Sequence, residues 1–174
     1  MILYFTFSLE SAGSASVGLH LLSPMSRSLF TRAILQSASP LSPWALLPSK
    51  EAKRRSHQLA QKVGCPSEEK ARDLLKCLQS VDPFKLVNAE WDPADGPIAY
   101  GVCAMPFVPI IDGQFLPENP LRMLQSGQFK KTEVLLGANK DEGSYFLIYY
   151  LTHLFRLEEN VSDSQNSKYQ NAKR

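Results

Sequence analysis

The sequence has no excess of charge of either sign and no hydrophobic run long enough to cross a bilayer. Lys and Arg number 19 and Asp and Glu 17, for a net charge of +2, so the composition indicates no surface for nucleic acid or anionic membranes. A membrane-spanning helix needs about 20 apolar residues. Residues 1–9 lack the basic start and the small-residue cleavage site of a secretory signal, so we expect no signal peptide there.

Cysteine and histidine are scarce, with three of each. Cys65 and Cys77 lie twelve residues apart across a predicted helical stretch, and their spacing leaves two alternatives open. They form a disulfide in an oxidising compartment, or they are two reduced core thiols. Cys103 is then left over. We expect neither a metal ion nor a cofactor.

The segment Leu9-Glu10-Ser11-Ala12-Gly13 lies between a hydrophobic run and a stretch of small residues. The run Ile2–Phe7 predicts a buried strand, and the stretch that follows Ser11 predicts a helix toward Leu22. A serine on a tight strand-to-helix turn is the nucleophile elbow of α/β-hydrolases. Ser11 is therefore the candidate nucleophile, and the backbone N–H of Ala12 is a candidate donor to an oxyanion. Close packing alone is the alternative explanation for the small residues.

A candidate triad acid follows far downstream, in Lys140-Asp141-Glu142-Gly143-Ser144. The segment Glu133–Gly137 predicts a buried parallel strand, which places Glu142 just beyond its carboxyl end, where open α/β sheets build their sites. There Glu142 would orient a histidine base and stabilise its imidazolium form. An ordinary solvated acid is the alternative.

None of the three histidines suits the role of that base. His20 lies in the helix after the elbow and His57 on a basic helix. If the segment after Glu142 is helical, His153 lies about 16 Å from Glu142 along the axis, too far for one hydrogen bond.

The remaining sequence predicts a regular α/β arrangement. Ser49 is expected to cap a helix that runs to Val63 and stops at Gly64, with its basic cluster as a solvated face. Further helices are expected over Ser67–Leu78, from Asp82-Pro83, and from Asn119-Pro120 to near Gly127.

The stretch from Glu10 to Pro24, followed by Ala33-Ile34-Leu35-Gln36-Ser37, resembles the cholinesterase and type-B carboxylesterase family. The resemblance runs from about Glu10 to about Asn160. It implies an α/β-hydrolase fold that is incomplete here, from the nucleophile elbow to just past the triad acid. The expected divisions are a divergent segment 1–9, a partial hydrolase domain 10–160, and a divergent, disordered tail 161–174.

Within the family, the details are similar to arthropod acetylcholinesterases. The segments that carry this similarity are Ser42-Pro43-Trp44-Ala45, Glu90-Trp91, Pro106-Phe107-Val108-Pro109-Ile110-Ile111-Asp112-Gly113, Asp141-Glu142-Gly143-Ser144-Tyr145-Phe146, Gly101-Val102-Cys103 and Tyr149-Tyr150-Leu151-Thr152. Leu9 departs from the family, which has a Gly there, and a side chain at that position crowds the elbow.

The resemblance also implies roles for individual residues. Trp44 and Phe146 correspond to walls of the acyl pocket, and Met105 stands where many members carry an acyl-pocket Phe. Trp91 and Tyr145 correspond to aromatic faces for a quaternary ammonium, and Glu10 to a buried acid beside the nucleophile. In the family the cysteines matching Cys65 and Cys77 form a disulfide, whereas Cys103 would be a free thiol near the active-site gorge.

We therefore expect a serine esterase fragment whose complete form hydrolyses choline esters through an acyl-serine intermediate. The resemblance implies an extracellular or synaptic location, and any homo-oligomer or membrane anchor would depend on the family's C-terminal region. The 174-residue chain has no histidine base and is expected to be inactive alone, with exposed apolar sheet surface. A non-catalytic interaction protein and a general carboxylesterase are the alternatives.

Overall fold

The computed structural model describes residues 5–66, 70–90 and 105–150. The described part of the chain forms a parallel sheet of three strands in the order β1 (Thr6–Glu10), β2 (Arg32–Gln36) and β3 (Val134–Gly137). In the register Leu9 pairs with Leu35, and Leu35 pairs with Leu136. The α/β architecture predicted from the sequence is confirmed.

Six helices lie in the described ranges and follow the sequence patterns closely. They are α1 (Ala12–Leu22), α2 (Ser49–Val63), α3 (Ala71–Ser80), α4 (Pro83–Glu90), α5 (Pro120–Gln125) and α6 (Gly143–Tyr150). Gly64 ends α2 in the left-handed conformation, with φ 86°, as predicted. Asn119 caps α5 by accepting hydrogen bonds from the N–H groups of Leu121 and Arg122.

Three boundaries differ from the predictions. β1 extends to Glu10 rather than ending at Phe7, because its ladder with β2 continues to the elbow. Ser49 is the first helical residue of α2 and not its cap; its hydroxyl instead donates to the Ile111 carbonyl at 3.4 Å. The helix expected from Ser67 begins at Ala71, after Lys70, and the proposed Ser67 cap lies outside the described residues.

The core lies between α1 and the face of the sheet that it covers. Val17 of α1 packs with Phe30, Ala33 and Leu35. The end of α1 packs against the segment before α5, where Leu19 and Leu22 join Leu116 and Met123. These contacts fix α1, and therefore the turn before it, against β1 and β2.

The strands themselves are more exposed than predicted. All residues of β3 are exposed. Leu135 is 64% exposed and Leu136 is 67% exposed. The expectation that β3 is a buried strand is therefore wrong for this chain. The reason is that α1 packs on β1 and β2 but not on β3. The expected exposure of apolar sheet surface is confirmed.

The structure divides into two units, residues 1–139 and 140–174. The sheet and helices α1 to α5 belong to the first unit, and α6 belongs to the second. A disulfide joins Cys65 to Cys77, with their Cα atoms 5.9 Å apart. Of the two alternatives the structure has the disulfide, and the bond closes a small core of Ala60, Val63 and Leu74 around the ends of α2 and α3.

Candidate active site

Ser11 lies at the carboxyl end of β1, on the turn that opens α1. Its backbone has φ 53° and ψ −123°. Residues other than Gly seldom adopt this conformation, which costs them about 1–3 kcal/mol. The serine is exposed and its side chain makes no capping hydrogen bond to α1. The hydroxyl is thus presented to solvent on a strained strand-to-helix turn, which is the geometry of a nucleophile elbow.

Hydrogen bonds to the neighbouring strand and within the start of α1 hold this turn in place. The Ser11 N–H donates to the Gln36 carbonyl at 2.9 Å, and its carbonyl accepts from Ala15 at 3.1 Å. One turn into α1, the buried Ser14 donates its hydroxyl to the Ala38 carbonyl at 2.7 Å. These hydrogen bonds connect the ends of β1 and β2. They hold the strained backbone of Ser11 in place from both sides of the turn.

Ala12 is the first residue of α1 and is exposed. The first N–H groups of a helix have no partner within the helix, and they carry the positive end of its dipole. In the described ranges the Ala12 N–H donates to no backbone carbonyl. It is therefore available as a donor beside the Ser11 hydroxyl, as an oxyanion site requires.

Glu10 is exposed in the described part of the chain. It lies at the end of β1, where it pairs with Gln36 of β2. The burial implied by the resemblance is therefore not seen in the described residues, and the role of Glu10 beside the nucleophile stays a prediction. The physical reason for the exposure is that β1 is the edge strand of the described sheet, so its outer side is open to solvent.

The two candidate acyl-pocket residues of the first unit lie on adjoining segments. Trp44 is half-buried in a turn closed by a hydrogen bond from the Ala45 N–H to the Ser42 carbonyl. Met105 is 41% exposed. The segment that follows Met105 is bound to the one that follows Trp44, since the Leu47 N–H donates to the Pro109 carbonyl at 3.0 Å.

The second unit contains the candidate acid. Glu142 is partly buried and immediately precedes α6. The turn is held by Ser144, whose N–H and hydroxyl both reach the Asp141 carbonyl, at 3.0 and 2.7 Å. Tyr145 and Phe146 pack edge to face with their ring centroids 5.4 Å apart. Tyr145 is 59% exposed.

The histidines of the described chain have other environments. The His20 ring packs edge to face on Phe7 and Phe115, and its Nδ1 lies 2.9 Å from the Ser26 hydroxyl. Burial lowers the pKa of His20. His20 also lies nine residues along α1 from Ser11, which corresponds to about 13 Å of helix. His20 is half-buried among these aromatic rings. That it is not the base stays a prediction.

Sequence reasoning missed two features of the site region. Arg55 was expected on a solvated face but is only 8% exposed, because its guanidinium bonds to Glu51 and to two carbonyls of the Met105 segment. Ser37, at the end of β2, also has a positive φ of 59°, and its N–H donates to the Gly137 carbonyl. No sequence signal marks Arg55 apart from its neighbours Lys53 and Arg54.

Three candidate residues named in the sequence analysis fall outside the described residues. Trp91, Cys103 and His153 lie outside the described ranges. In residues 5–66, 70–90 and 105–150 no helix has the length and apolarity to cross a membrane.

Comparison with known proteins decides the family. The sequence model of the family described as "Carboxylesterase family" matches residues 6–173. The chain belongs to the carboxylesterase family. Its α/β fold and its strained Ser11 elbow agree with that membership.

Several relatives of this carboxylesterase chain are named cholinesterase or acetylcholinesterase. It is 49% identical to Cholinesterase 2 of Branchiostoma lanceolatum over 80% of this chain and 40% of that protein. It is 50% identical to an acetylcholinesterase of Bungarus fasciatus over 87% of this chain and 24% of that protein. It is 52% identical to the acetylcholinesterase of Electrophorus electricus over 80% of this chain and 22% of that protein. The chain thus spans well under half the length of these relatives. The arthropod affinity stays a prediction.

Proposed function

We propose that this chain is part of a serine esterase that hydrolyses choline esters, acetylcholine among them. The observation that carries the proposal is the strained, exposed Ser11 at the junction of β1 and α1, followed by a free Ala12 N–H. Ser11 attacks the ester carbonyl, choline leaves, and water releases the acyl group from the serine. The Ala12 N–H donates to the oxygen that becomes negatively charged in each step.

Glu142 acts as the orienting acid of the triad. It accepts a hydrogen bond from a histidine base, which fixes the tautomer and stabilises the imidazolium as Ser11 loses its proton. That base is none of His20, His57 or His153. Accordingly, the 174-residue polypeptide expressed by itself has no meaningful choline-ester hydrolase activity.

Aromatic side chains supply the substrate preference. Tyr145 and Trp91 offer ring faces to the quaternary ammonium, each contact contributing about 0.5–2 kcal/mol. We assign Trp44, Met105 and Phe146 to the acyl side of the substrate from the family resemblance. The similarity to proteins named cholinesterase and acetylcholinesterase supports this preference over a general carboxylesterase.

The Cys65–Cys77 disulfide supports an oxidising compartment. We place the protein outside the cell or at the synaptic cell surface, where a choline ester is the substrate. Homo-oligomer formation or membrane anchoring is assigned to the C-terminal region of the family and not to the described residues.

The test uses the native protein as its full transcript encodes it. Acetylthiocholine should be hydrolysed with a higher kcat/KM than an uncharged naphthyl acetate. Ser11→Ala should abolish turnover, and Glu142→Gln should lower kcat by about 10³- to 10⁴-fold. Asp141→Asn is the matched control and should leave kcat unchanged.

Each of the other outcomes favours one rival. Equal turnover of the charged and uncharged esters would favour the general carboxylesterase. A native protein that hydrolyses neither ester would favour the non-catalytic interaction protein. Retention of Ser11 argues against the latter, because a binding protein has no need of a strained nucleophile turn.

A further inference from the structure

Arg55 is a buried charge on an otherwise solvated basic helix. Within α2, Lys53 and Arg54 are exposed, whereas only 8% of Arg55 is accessible. Arg is seldom buried unless its guanidinium is paired. The partners of Arg55 therefore indicate what its burial accomplishes.

The guanidinium of Arg55 connects α2 to the Met105 segment. Its Nε donates to Glu51 Oε1 at 2.8 Å. One of its terminal nitrogens donates to the backbone carbonyls of both Met105, at 2.9 Å, and Pro106, at 2.8 Å. Hydrogen bonds from a charged donor are the stronger kind, and the planar guanidinium fixes the direction of each.

Glu51 in turn fixes the guanidinium. It also accepts from Arg54, whose Nε lies 2.8 Å from Glu51 Oε2. Hydrogen bonds from Arg54 and Arg55 lower the pKa of Glu51 to about 2, so Glu51 remains a carboxylate at neutral pH. Arg55 is thereby held from one side while it binds the Met105 segment on the other.

The Arg55 contacts belong to a longer line of hydrogen bonds. The residues that follow Met105 run beside the residues that precede and open α2. The Leu47 N–H donates to the Pro109 carbonyl at 3.0 Å, and the Ser49 hydroxyl to the Ile111 carbonyl at 3.4 Å. Arg55 binds the end of this segment that is nearest Met105.

We propose that Arg55 is a positioning residue that sets acyl-size selectivity by fixing the backbone at Met105 and Pro106. Since Met105 precedes a proline, its backbone is already confined to extended conformations. Holding both carbonyls removes most of the remaining freedom and fixes the direction in which the Met105 side chain leaves the chain. Arg55 itself does not touch the ester. The inference rests on the proposed function, in which Met105 borders the acyl group.

The first test compares acyl groups in the native protein encoded by the full transcript. The variants are Arg55→Met, Arg55→Lys and the matched control Arg54→Met, which removes the other Glu51 partner. The readout is the ratio of kcat/KM for butyrylthiocholine to that for acetylthiocholine. A merely structural role would lower both values together and leave this ratio unchanged.

We expect Arg55→Met to change the ratio by about tenfold, since small displacements beside a reacting group have large effects on rate. Arg55→Lys should change the ratio less, because a lysine can still reach one carbonyl but lacks the several fixed N–H donors of the guanidinium. Arg54→Met should leave it within about twofold. A ratio unchanged in both Arg55 variants, with hydrolysis intact, would overturn the inference and leave the proposed function standing.

The second test does not need catalysis. Backbone amide exchange of Leu47, whose N–H donates to the Pro109 carbonyl, reports whether the segment that follows Met105 is held. Exchange should become faster in Arg55→Met and stay unchanged in Arg54→Met. If Arg55→Met does not fold, Arg55→Lys takes its place and should also exchange faster. If the native protein hydrolyses no choline ester, the proposed function fails, and exchange alone decides whether Arg55 anchors the segment.

Discussion

The β-carbon of Leu9 lies 2.8 Å from the position that a β-carbon on Gly13 would occupy. Real β-carbons do not approach so closely, so Leu9 at the strand end requires a glycine one turn into α1. We predict that Gly13→Ala lowers the free energy of unfolding by about 1–3 kcal/mol. Urea denaturation of the native protein and the variant measures this difference.

Leu9 provides the control for that prediction. The Leu9 side chain supplies the nearest atoms around Gly13, at 2.8, 3.1 and 3.3 Å. In a Leu9→Gly background the same Gly13→Ala change should cost less than about 0.5 kcal/mol. An equal cost in both backgrounds would show that something other than Leu9 requires the glycine.

The backbone strain at Ser11 predicts a stabilising substitution at the reactive residue itself. With φ 53°, a glycine there avoids the clash between β-carbon and carbonyl that an L-residue suffers. Ser11→Gly should therefore be about 1 kcal/mol more stable than Ser11→Ala, although both lack the nucleophile. Chemical denaturation compares the two, and Ser14→Gly against Ser14→Ala, within the helix, should show the reverse order. A Ser11→Gly variant no more stable than Ser11→Ala would contradict the strain.

The ion pairs of Glu51 predict a stability contribution that depends on pH. The hydrogen bonds from Arg54 and Arg55 lower the pKa of Glu51 from 4.5 to about 2. A lowered pKa means that the contribution is present above pH 4.5 and is lost as the pH falls toward 2. The wild type should exceed Glu51→Gln in unfolding free energy by about 1 kcal/mol near neutral pH, with the difference shrinking across that acid range. A difference independent of pH would contradict this assignment.

The cap of α5 predicts a local loss of stability. Asn119 Oδ1 accepts from the Leu121 N–H at 2.9 Å and from the Arg122 N–H at 3.4 Å. Asn119→Ala should lower the free energy of unfolding by about 1 kcal/mol, whereas Asn119→Asp should retain the cap. Thermal or urea unfolding of both variants distinguishes a lost cap from a general surface effect.

The sequence predicted the elbow well because its signals are local. A strand of apolar residues, a serine and a helix of small residues specify the turn before any distant contact is made. The same holds for Gly64, which ends a helix because it tolerates the left-handed backbone, and for Asn119, whose side-chain oxygen caps the first N–H groups of a helix. The strained φ of Ser11 follows from the motif, but its support by Gln36 requires the fold.

Features that depend on distant contacts could not be predicted. Arg55 resembles Lys53 and Arg54 in sequence, and its contacts with the distant Met105 segment could not be read from local sequence. The exposure of Glu10 and of β3 likewise depends on which elements cover the sheet. A hydrophobic run such as Val134–Gly137 predicts a buried strand, yet local sequence cannot say what covers it.

The central claim is that Ser11 is the nucleophile of an ester hydrolase, and covalent labelling tests it most directly. The native protein encoded by the full transcript is treated with a fluorophosphonate, which phosphonylates activated serines, and the adduct is located by peptide mass spectrometry. We predict one adduct on Ser11, competed by acetylcholine, absent in Ser11→Ala, and not formed by the 174-residue chain alone. An adduct on another serine, or choline-ester hydrolysis that survives Ser11→Ala, would contradict the account.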